Sequence, residues 1–299
     1  MSITRKKPLD CTSTWFDLKI SVKSGENSGS SGRGYGWGAI SLPFSPDGKN
    51  FVTAAALKFI VVFVAFTAAF AAERRWPVVA WRLGANRIGR NLSLAFVNFL
   101  MGPALVVPVS IYAASHSFGF RPAWWNIALD LVLLDLWIYG WHRLNHVIPF
   151  LWRFHEVHHR DEMLDVTSAL RFHFGEVALS ALVRAVMIWL FSIPLQSVLA
   201  FETVVVLAAI FHHSNLRLPA GLEGLLSRLI VTPGLHWVHH HAQRADTDSN
   251  YATVLSIWDV LFKSRSPNHR QIEMKLGVEG QSDLALPQLL VRPFTQRQS

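Results

Sequence analysis

The run FVTAAALKFIVVFVAFTAAFAA, Phe51–Ala72, is 22 residues of nearly unbroken apolar sequence. As a helix it rises about 33 Å, enough to cross a hydrocarbon core of about 30 Å. The chain repeats the feature. LSLAFVNFLMGPALVVPVSIYAA (Leu92–Ala114) is a second span, with kinks expected at Pro103 and Pro108. Trp124–Trp141 is a third, bounded by tryptophans in the manner of an interfacial belt. Val177–Ile193 and Leu195–Phe211 are a shorter fourth and fifth, hinged at Pro194 as a tight hairpin. The predicted fold is all-α: an integral membrane helical bundle of about four to five spans, with a histidine-rich helical cap on its cytoplasmic face. The 16% content of charged residues fits, since soluble domains carry about 25%.

Loop charges orient the bundle. Residues 73–91 hold Arg74, Arg75, Arg82, Arg87 and Arg90, whereas 115–123 hold only Arg121. The stretches 142–176 and beyond His212 are also basic, so these loops are expected to face the cytoplasm. The seven Lys and Arg of the N-terminal region run against this rule in a five-span arrangement. The net charge of +8 is scattered beside apolar segments, which fits anionic lipid head groups and argues against a nucleic-acid partner. Residues 1–50, including GENSGSSGRGYGWG, are expected to be a disordered tail, and the first apolar run begins too late for a secretory leader. The expected organisation is then 51–91, a first span and basic loop; 92–263, the catalytic membrane domain; and 264–299, a C-terminal tail. The single cysteine, Cys11, excludes an intrachain disulfide and a cysteine-based metal site.

Several charges fall inside apolar runs. Arg184 and Glu202 lie on either side of the Pro194 hinge at comparable remove, so antiparallel helices put them at one depth and predict an intramembrane ion pair. Lys58 is expected to snorkel to its nearer interface. Asp130 and Asp135 sit in the third span.

Of the 14 histidines, 12 fall between His142 and His241. In DLWIYGWHRLNH, the residues Asp135, Tyr139, His142 and His146 line one helical face. His142 and His146 can chelate one metal, and Asp135 is placed to hydrogen-bond a ligand imidazole. Two copies of H-x-x-H-H follow, His155/His158/His159 and His236/His239/His240, each able to offer up to three imidazoles to one site. Between them HHSN supplies His212, His213 and Asn215. His116 and His269 are isolated and read as surface residues; His241 extends the second copy, and His173 in RFHFGE is second shell or structural.

His155, Glu156 and His159 also fit the zinc-protease pattern H-E-x-x-H. Trp237 replaces the glutamate in the second copy, so the shared element is H-x-x-H-H, and eight or nine histidines exceed the needs of one tetrahedral zinc. Two metals fit better. Imidazole suits Zn, Cu, Fe and Ni alike. Beside long apolar helices able to house a lipid chain, the natural chemistry is a redox metal with O₂ acting on unactivated C–H bonds. A dizinc hydrolase and a histidine-rich metal transporter remain alternatives.

The ordered series DLWIYGWHRLNH, WRFHEVHH, DVTSALRFHFGE, HHSN, TPGLHWVHH and DTDSNYATVLSIWDVLF resembles the fatty acid hydroxylase superfamily, which includes sterol desaturases and C-4 methyl oxidases. The resemblance covers roughly residues 92–263. It implies a membrane-bound non-haem di-iron oxygenase that hydroxylates, or less often desaturates, a lipid with O₂ and external electrons. It implies iron ligands at His142, His146, His155, His158, His159, His213, His236, His239 and His240. Asp135 and Tyr139, one or two turns away on the same helical face, are the expected catalytic residues, orienting those ligands. Many members have proline where Phe174 follows His173. The implied partners are the membrane, a lipid substrate (fatty-acyl chain, sterol, hopanoid or head group such as that of ornithine lipid) and a separate electron donor, a ferredoxin- or cytochrome b5-like reductase system.

Overall fold

The computed structural model describes residues 48–80, 84–117 and 125–295. Residues 1–47 of the expected disordered tail, with Cys11, lie outside them, as do Arg82, Arg121 and Trp124, whereas residues 48–50 of that expected tail belong to the first helix. Twelve α-helices occur among the described residues, with isolated β-bridges and no strand. They are α1 Gly48–Arg75, α2 Ala85–Leu105, α3 Val107–Ser115, α4 Ile127–Val147, α5 Pro149–His159, α6 Phe174–Phe191, α7 Leu195–His213, α8 Ala220–Leu226, α9 Pro233–His239, α10 Arg244–Thr247, α11 Ile257–Leu261 and α12 Leu286–Thr295.

Four segments are long and apolar enough to cross a membrane: Val52–Arg75, Ala85–Ser115, Phe174–Phe191 and Leu195–His213. The protein is an integral membrane protein, and exposed apolar side chains such as Phe59, Phe63, Phe96 and Phe99 have lipid as their natural solvent. The second segment is one rod broken where Pro103 and Pro108 remove backbone donors, with α3 restarting at Val107. The hairpin forms as expected. Ser192 closes α6 in the left-handed region (φ 49°), Ile193 N donates to Ile188 O, and Pro194 precedes α7.

The third span of the sequence reading, α4, is not one of the four. One face of it is buried and carries Asp130, Asp135, Asn145 and His146, while Ile127, Val132 and Leu144 on the other are exposed. The polar residues of the buried face find partners there: Asp130 accepts from Ser197 Oγ at 2.5 Å and Trp125 Nε1 at 2.8 Å. Around it Leu134, Ala113, Ile188, Val198 and Phe201 form the apolar core of α3, α4, α6 and α7.

The intramembrane pair is present, with Arg184 Nη2 2.8 Å from Glu202 Oε1. Lys58 departs from expectation. It does not snorkel outward; its Nζ lies 2.6 Å from Glu202 Oε2, because α1 packs along α7.

A buried polar layer braces α5 and the turn after it. Arg87 Nη2 donates to Asp161 Oδ2 (2.8 Å) and Ser168 Oγ (2.8 Å), and its guanidinium also meets Asp165. Asn91 Nδ2 donates to Asp161 Oδ2 (2.9 Å) and Thr167 Oγ1 (3.0 Å). Arg171 spans from Val157 O to Asn91 Oδ1 and Asp283. The layer crosses both expected domain boundaries. Residues 85–91 belong to it, and the region expected to be a C-terminal tail packs α12 against α5, with Leu289 buried between Leu94 and Val157.

Removing Arg87 leaves two aspartates buried without their cation. Arg87→Ala is therefore expected to destabilise the protein by about 3–5 kcal/mol, read as a lowered unfolding midpoint in detergent.

Candidate metal centre

The sequence sets the two H-x-x-H-H copies on short helices capped in simple ways. Pro149 opens α5, and Thr232 caps α9 with Pro233 in its first turn. On a helix, residues at i and i+4 project together while i+3 turns aside by about 60° from i. That geometry permits each copy to be shared, and in the folded chain each divides between two sites. His142, His146, His155, His159 and His239 form one buried group, and His158, His213, His236 and His240 form the other. The expectation that one copy serves one site is corrected: His155 and His159 part from His158, and His239 parts from His236 and His240. The groups share a wall, where the rings of His159 and His240 stack at 4.3 Å.

At five of the rings the second nitrogen has a close oxygen acceptor. His142 Nδ1 lies 2.7 Å from Tyr251 O and His239 Nδ1 2.6 Å from Ser249 O. His158 Nδ1 lies 3.1 Å from Arg171 O and His213 Nδ1 2.8 Å from Ala209 O. His155 Nδ1 lies 2.8 Å from Glu176 Oε1. These acceptors place the proton on Nδ1, so each Nε2 presents a lone pair. Those lone pairs face one another: His142 to His155 at 3.1 Å, His142 to His239 at 3.1 Å, and His158 to His213 at 3.1 Å. Bare nitrogens at that spacing repel unless a cation sits between them. The donor set, all imidazole with no thiolate or carboxylate in either group, suits Zn, Cu, Fe or Ni.

Burial keeps the rings neutral. It pushes the imidazoles of His158, His159, His236 and His240 well below the usual histidine range, aided by neighbouring imidazoles. His239 is brought down to about 3, again mainly by burial.

Asp135 and Tyr139 lie outside both groups. Asp135 Oδ2 accepts from Leu255 N (3.1 Å) and Trp258 Nε1 (2.8 Å), in place of the expected imidazole. Tyr139 Oη lies 2.8 Å from Ser264 Oγ. Both face the 249–264 segment because α4 turns its histidines one way and this part of the stripe toward that loop. The loop supplies the carbonyls that hold His142 and His239. Asn250, with φ 51°, allows Ser249 O and Tyr251 O to point at the rings, and its side chain is pinned by Leu235 O and Ser266 N. Asp259 accepts from Tyr251 N, Ala252 N and Ser264 Oγ. Asp248 Oδ1 lies 3.3 Å from His146 Nδ1.

Glu156, the base of the protease pattern, is spoken for by Arg160 (2.6 Å) and Arg292 (3.2 Å). His173 caps α6, accepting from Gly175 N, while its Nε2 meets Leu290 O. His212 joins neither group, although its ring lies 4.1 Å from that of His236. His241 pairs with Asp246 at 2.7 Å, and His116 stacks on Tyr112. The sequence reading missed Glu176 and Asn145. Asn145 Nδ2 donates to the same Oε1 of Glu176 that holds His155, at 3.2 Å. The available signal was an acidic residue in the first turn of the helix opened by RFHFGE.

A cavity of about 560 Å³ reaches from His142, His155, His158 and His213 into the space between the membrane helices, lined by apolar side chains such as Phe99, Ile138, Phe201 and Val205.

This bundle and site define an integral membrane protein built around a buried double histidine cluster. Residues 127–264 match the family model described as fatty acid hydroxylase, and this segment is a fatty acid hydroxylase domain. It is 30% identical over 199 residues to ornithine lipid hydroxylase OlsE of Rhizobium tropici, covering 65% of this chain and 59% of the relative. It is 28% identical over 155 residues to alkylglycerol monooxygenase of Danio rerio, covering 50% and 32%. It is 28% identical over 159 residues to a cholesterol 25-hydroxylase-like protein of Danio rerio, covering 52% and 60%. The chain thus spans less than two thirds of the length of these relatives. No solved structure matches it.

Glu176→Gln replaces a carboxylate acceptor of His155 with an amide. It is expected to weaken metal binding by about 10–100-fold at one of the two groups only, measured as metal stoichiometry after dialysis against a graded chelator. The depressed imidazoles also set a pH dependence. The unfolded chain takes up protons near pH 6.5 that the folded one refuses, so stability is lost as pH falls through that value. The melting temperature of chelator-stripped protein is expected to fall steadily from about pH 7 to about pH 5.

Proposed function

We propose that this protein is a membrane-bound lipid hydroxylase in which the two histidine groups each hold an iron ion and which consumes O₂ and electrons from a separate donor protein. The observation that carries the reading is the meeting of two buried all-imidazole groups with an apolar cavity between membrane helices. Bound iron would supply the O₂-dependent oxidation that side chains alone cannot perform. The chain's own part is positional. Carbonyls of Ser249, Tyr251, Arg171 and Ala209 and the carboxylate of Glu176 hold five imidazoles in register. Asp135 and Tyr139 act one step back, steadying the loop that carries two of those carbonyls. The cavity walls exclude water and align a hydrocarbon chain with the rings.

The names of the relatives, a lipid-head-group hydroxylase, an alkylglycerol monooxygenase and a sterol hydroxylase-like protein, support a lipid substrate and favour hydroxylation over desaturation. The arginines Arg74, Arg75, Arg87, Arg90 and Arg160 lie at the histidine end of the bundle, which supports a cytoplasmic site open to a ferredoxin- or cytochrome b5-like donor. The catalytic unit covers residues 85–295 on this reading, since the buried polar layer joins α2 to the segment ahead of α12.

The test is metal analysis of purified protein with a variant carrying one change per group, His158→Ala with His239→Ala. The expected result is about two irons per chain, lost in the variant, and an O₂-dependent hydroxylated lipid in expressing cells that the variant fails to make. Stoichiometric zinc together with O₂-independent lipid turnover would instead establish a dizinc hydrolase.

A further inference from the structure

The cavity has a second polar station far from the histidines. Lys58 of α1, Arg184 of α6 and Glu202 of α7 all line it. Glu202 joins Lys58 through Oε2 at 2.6 Å and Arg184 through Oε1 at 2.8 Å. Two cations therefore share one carboxylate in a low-dielectric setting, leaving one positive charge in excess. Arg184 is only 9% exposed, and its Nε is buried without a hydrogen-bond partner. A bridge that merely glues helices together needs one cation for one anion. The extra cation and the free donor are costly in a membrane unless a further acceptor completes them.

The station is aligned with the histidines. On α6, Glu176, Ser180 and Arg184 recur every helical turn and all line the cavity. From Glu176 to Arg184, α6 rises about 12 Å, and from Glu202 to His213, α7 rises about 16 Å. Between the two ends the wall is mainly apolar, with Val205, Val206 and Ala209 on α7 and Val177 on α6.

We propose that Arg184 and Lys58 form a lipid-anchoring site inside the membrane. It accepts a carboxylate or carbonyl oxygen of the substrate and so places a carbon about 12–16 Å away against the histidine groups. This deepens the lipid-hydroxylase reading and rests on it for the identity of the far end. The substrate class is accordingly a lipid with an oxygen acceptor at that spacing from the oxidised carbon, and a plain hydrocarbon is a poor ligand. The position of oxidation is counted from the acceptor, so lengthening the chain at its methyl end leaves it unchanged.

The experiment measures equilibrium binding of tritiated palmitate, methyl palmitate and hexadecane to the full chain in nanodiscs. The expected order places both oxygen-bearing probes well above hexadecane. Binding of palmitate alone assigns the station to a carboxylate, and equal binding of the ester assigns it to a carbonyl; both support the anchor. Arg184→Leu is expected to weaken palmitate at least about tenfold, matching the loss of a charged hydrogen bond, with hexadecane unchanged and Arg184→Lys restoring part of the loss. Lys58→Met, on the lipid-facing α1, provides a second variant should the first fail to fold, and is expected to weaken palmitate severalfold. Hexadecane binding as tightly as palmitate, or wild-type palmitate affinity in both Arg184→Leu and Lys58→Met, would overturn the proposal. The metal-site variant separates the two readings. Arg184-dependent palmitate binding in His158→Ala/His239→Ala protein supports the anchor even if the wild type oxidises no lipid. O₂-dependent oxidation with no dependence on Arg184 in binding or position overturns the anchor and leaves the hydroxylase.

Discussion

Nine imidazoles can share a small volume only if their protons are disposed of, and that requirement organises the rest of this structure. A neutral histidine has one N–H and one lone pair. By giving Nδ1 an oxygen acceptor, the fold sends the lone pair of Nε2 inward at five of these rings, His142, His155, His158, His213 and His239. The resulting clusters are repulsive alone and would be attractive around a cation, and a metal held there would contribute directly to the stability of the fold. Burial works in the same direction by keeping the rings uncharged.

The acceptors must themselves be held. Their supports come from every part of the chain. Ser249 and Tyr251 carbonyls depend on a loop shaped by Asn250 and Asp259 and steadied by Asp135 and Tyr139 of α4. The Arg171 carbonyl depends on a guanidinium fixed between Val157 O, Asn91 and Asp283. Glu176 depends on the start of α6, where His173 caps the helix and Gly175 leaves room for the ring of Phe154; a Cβ there would lie 2.6 Å from that ring. Buried polar networks of this kind are stable only when nearly every member is satisfied. That explains why the cap is knitted to α2 and α12 and does not end with the last histidine.

The membrane imposes the complementary constraint. Apolar residues dominate α1, α2, α6 and α7, and the buried charged groups gather on one face of α4, at the histidine end and at one charged station. The cavity runs between the two polar ends through apolar walls, a shape that suits an amphiphile better than a water-soluble metabolite. Lys58 illustrates the cost argument. Reaching across to α7 sets its charge beside the Glu202 carboxylate, which Arg184 also shares.

Much of this was legible in one dimension. Apolar run length set four of the five expected spans, proline positions set the break between α2 and α3 and the hairpin after α6, and the Pro194 hinge brought Arg184 to Glu202. The nine histidines of the two groups stood out by spacing and by family resemblance. These features are local, since helix rise and side-chain period follow from the backbone itself. Tertiary structure alone decided that each H-x-x-H-H copy divides between two groups, that Asp135 holds a tryptophan and a backbone amide and not an imidazole, that Glu176 holds His155, and that Lys58 joins the intramembrane pair. Each of these depends on how helices distant in sequence cross and which faces they turn to one another. Side-chain periodicity along a single helix does not encode that crossing.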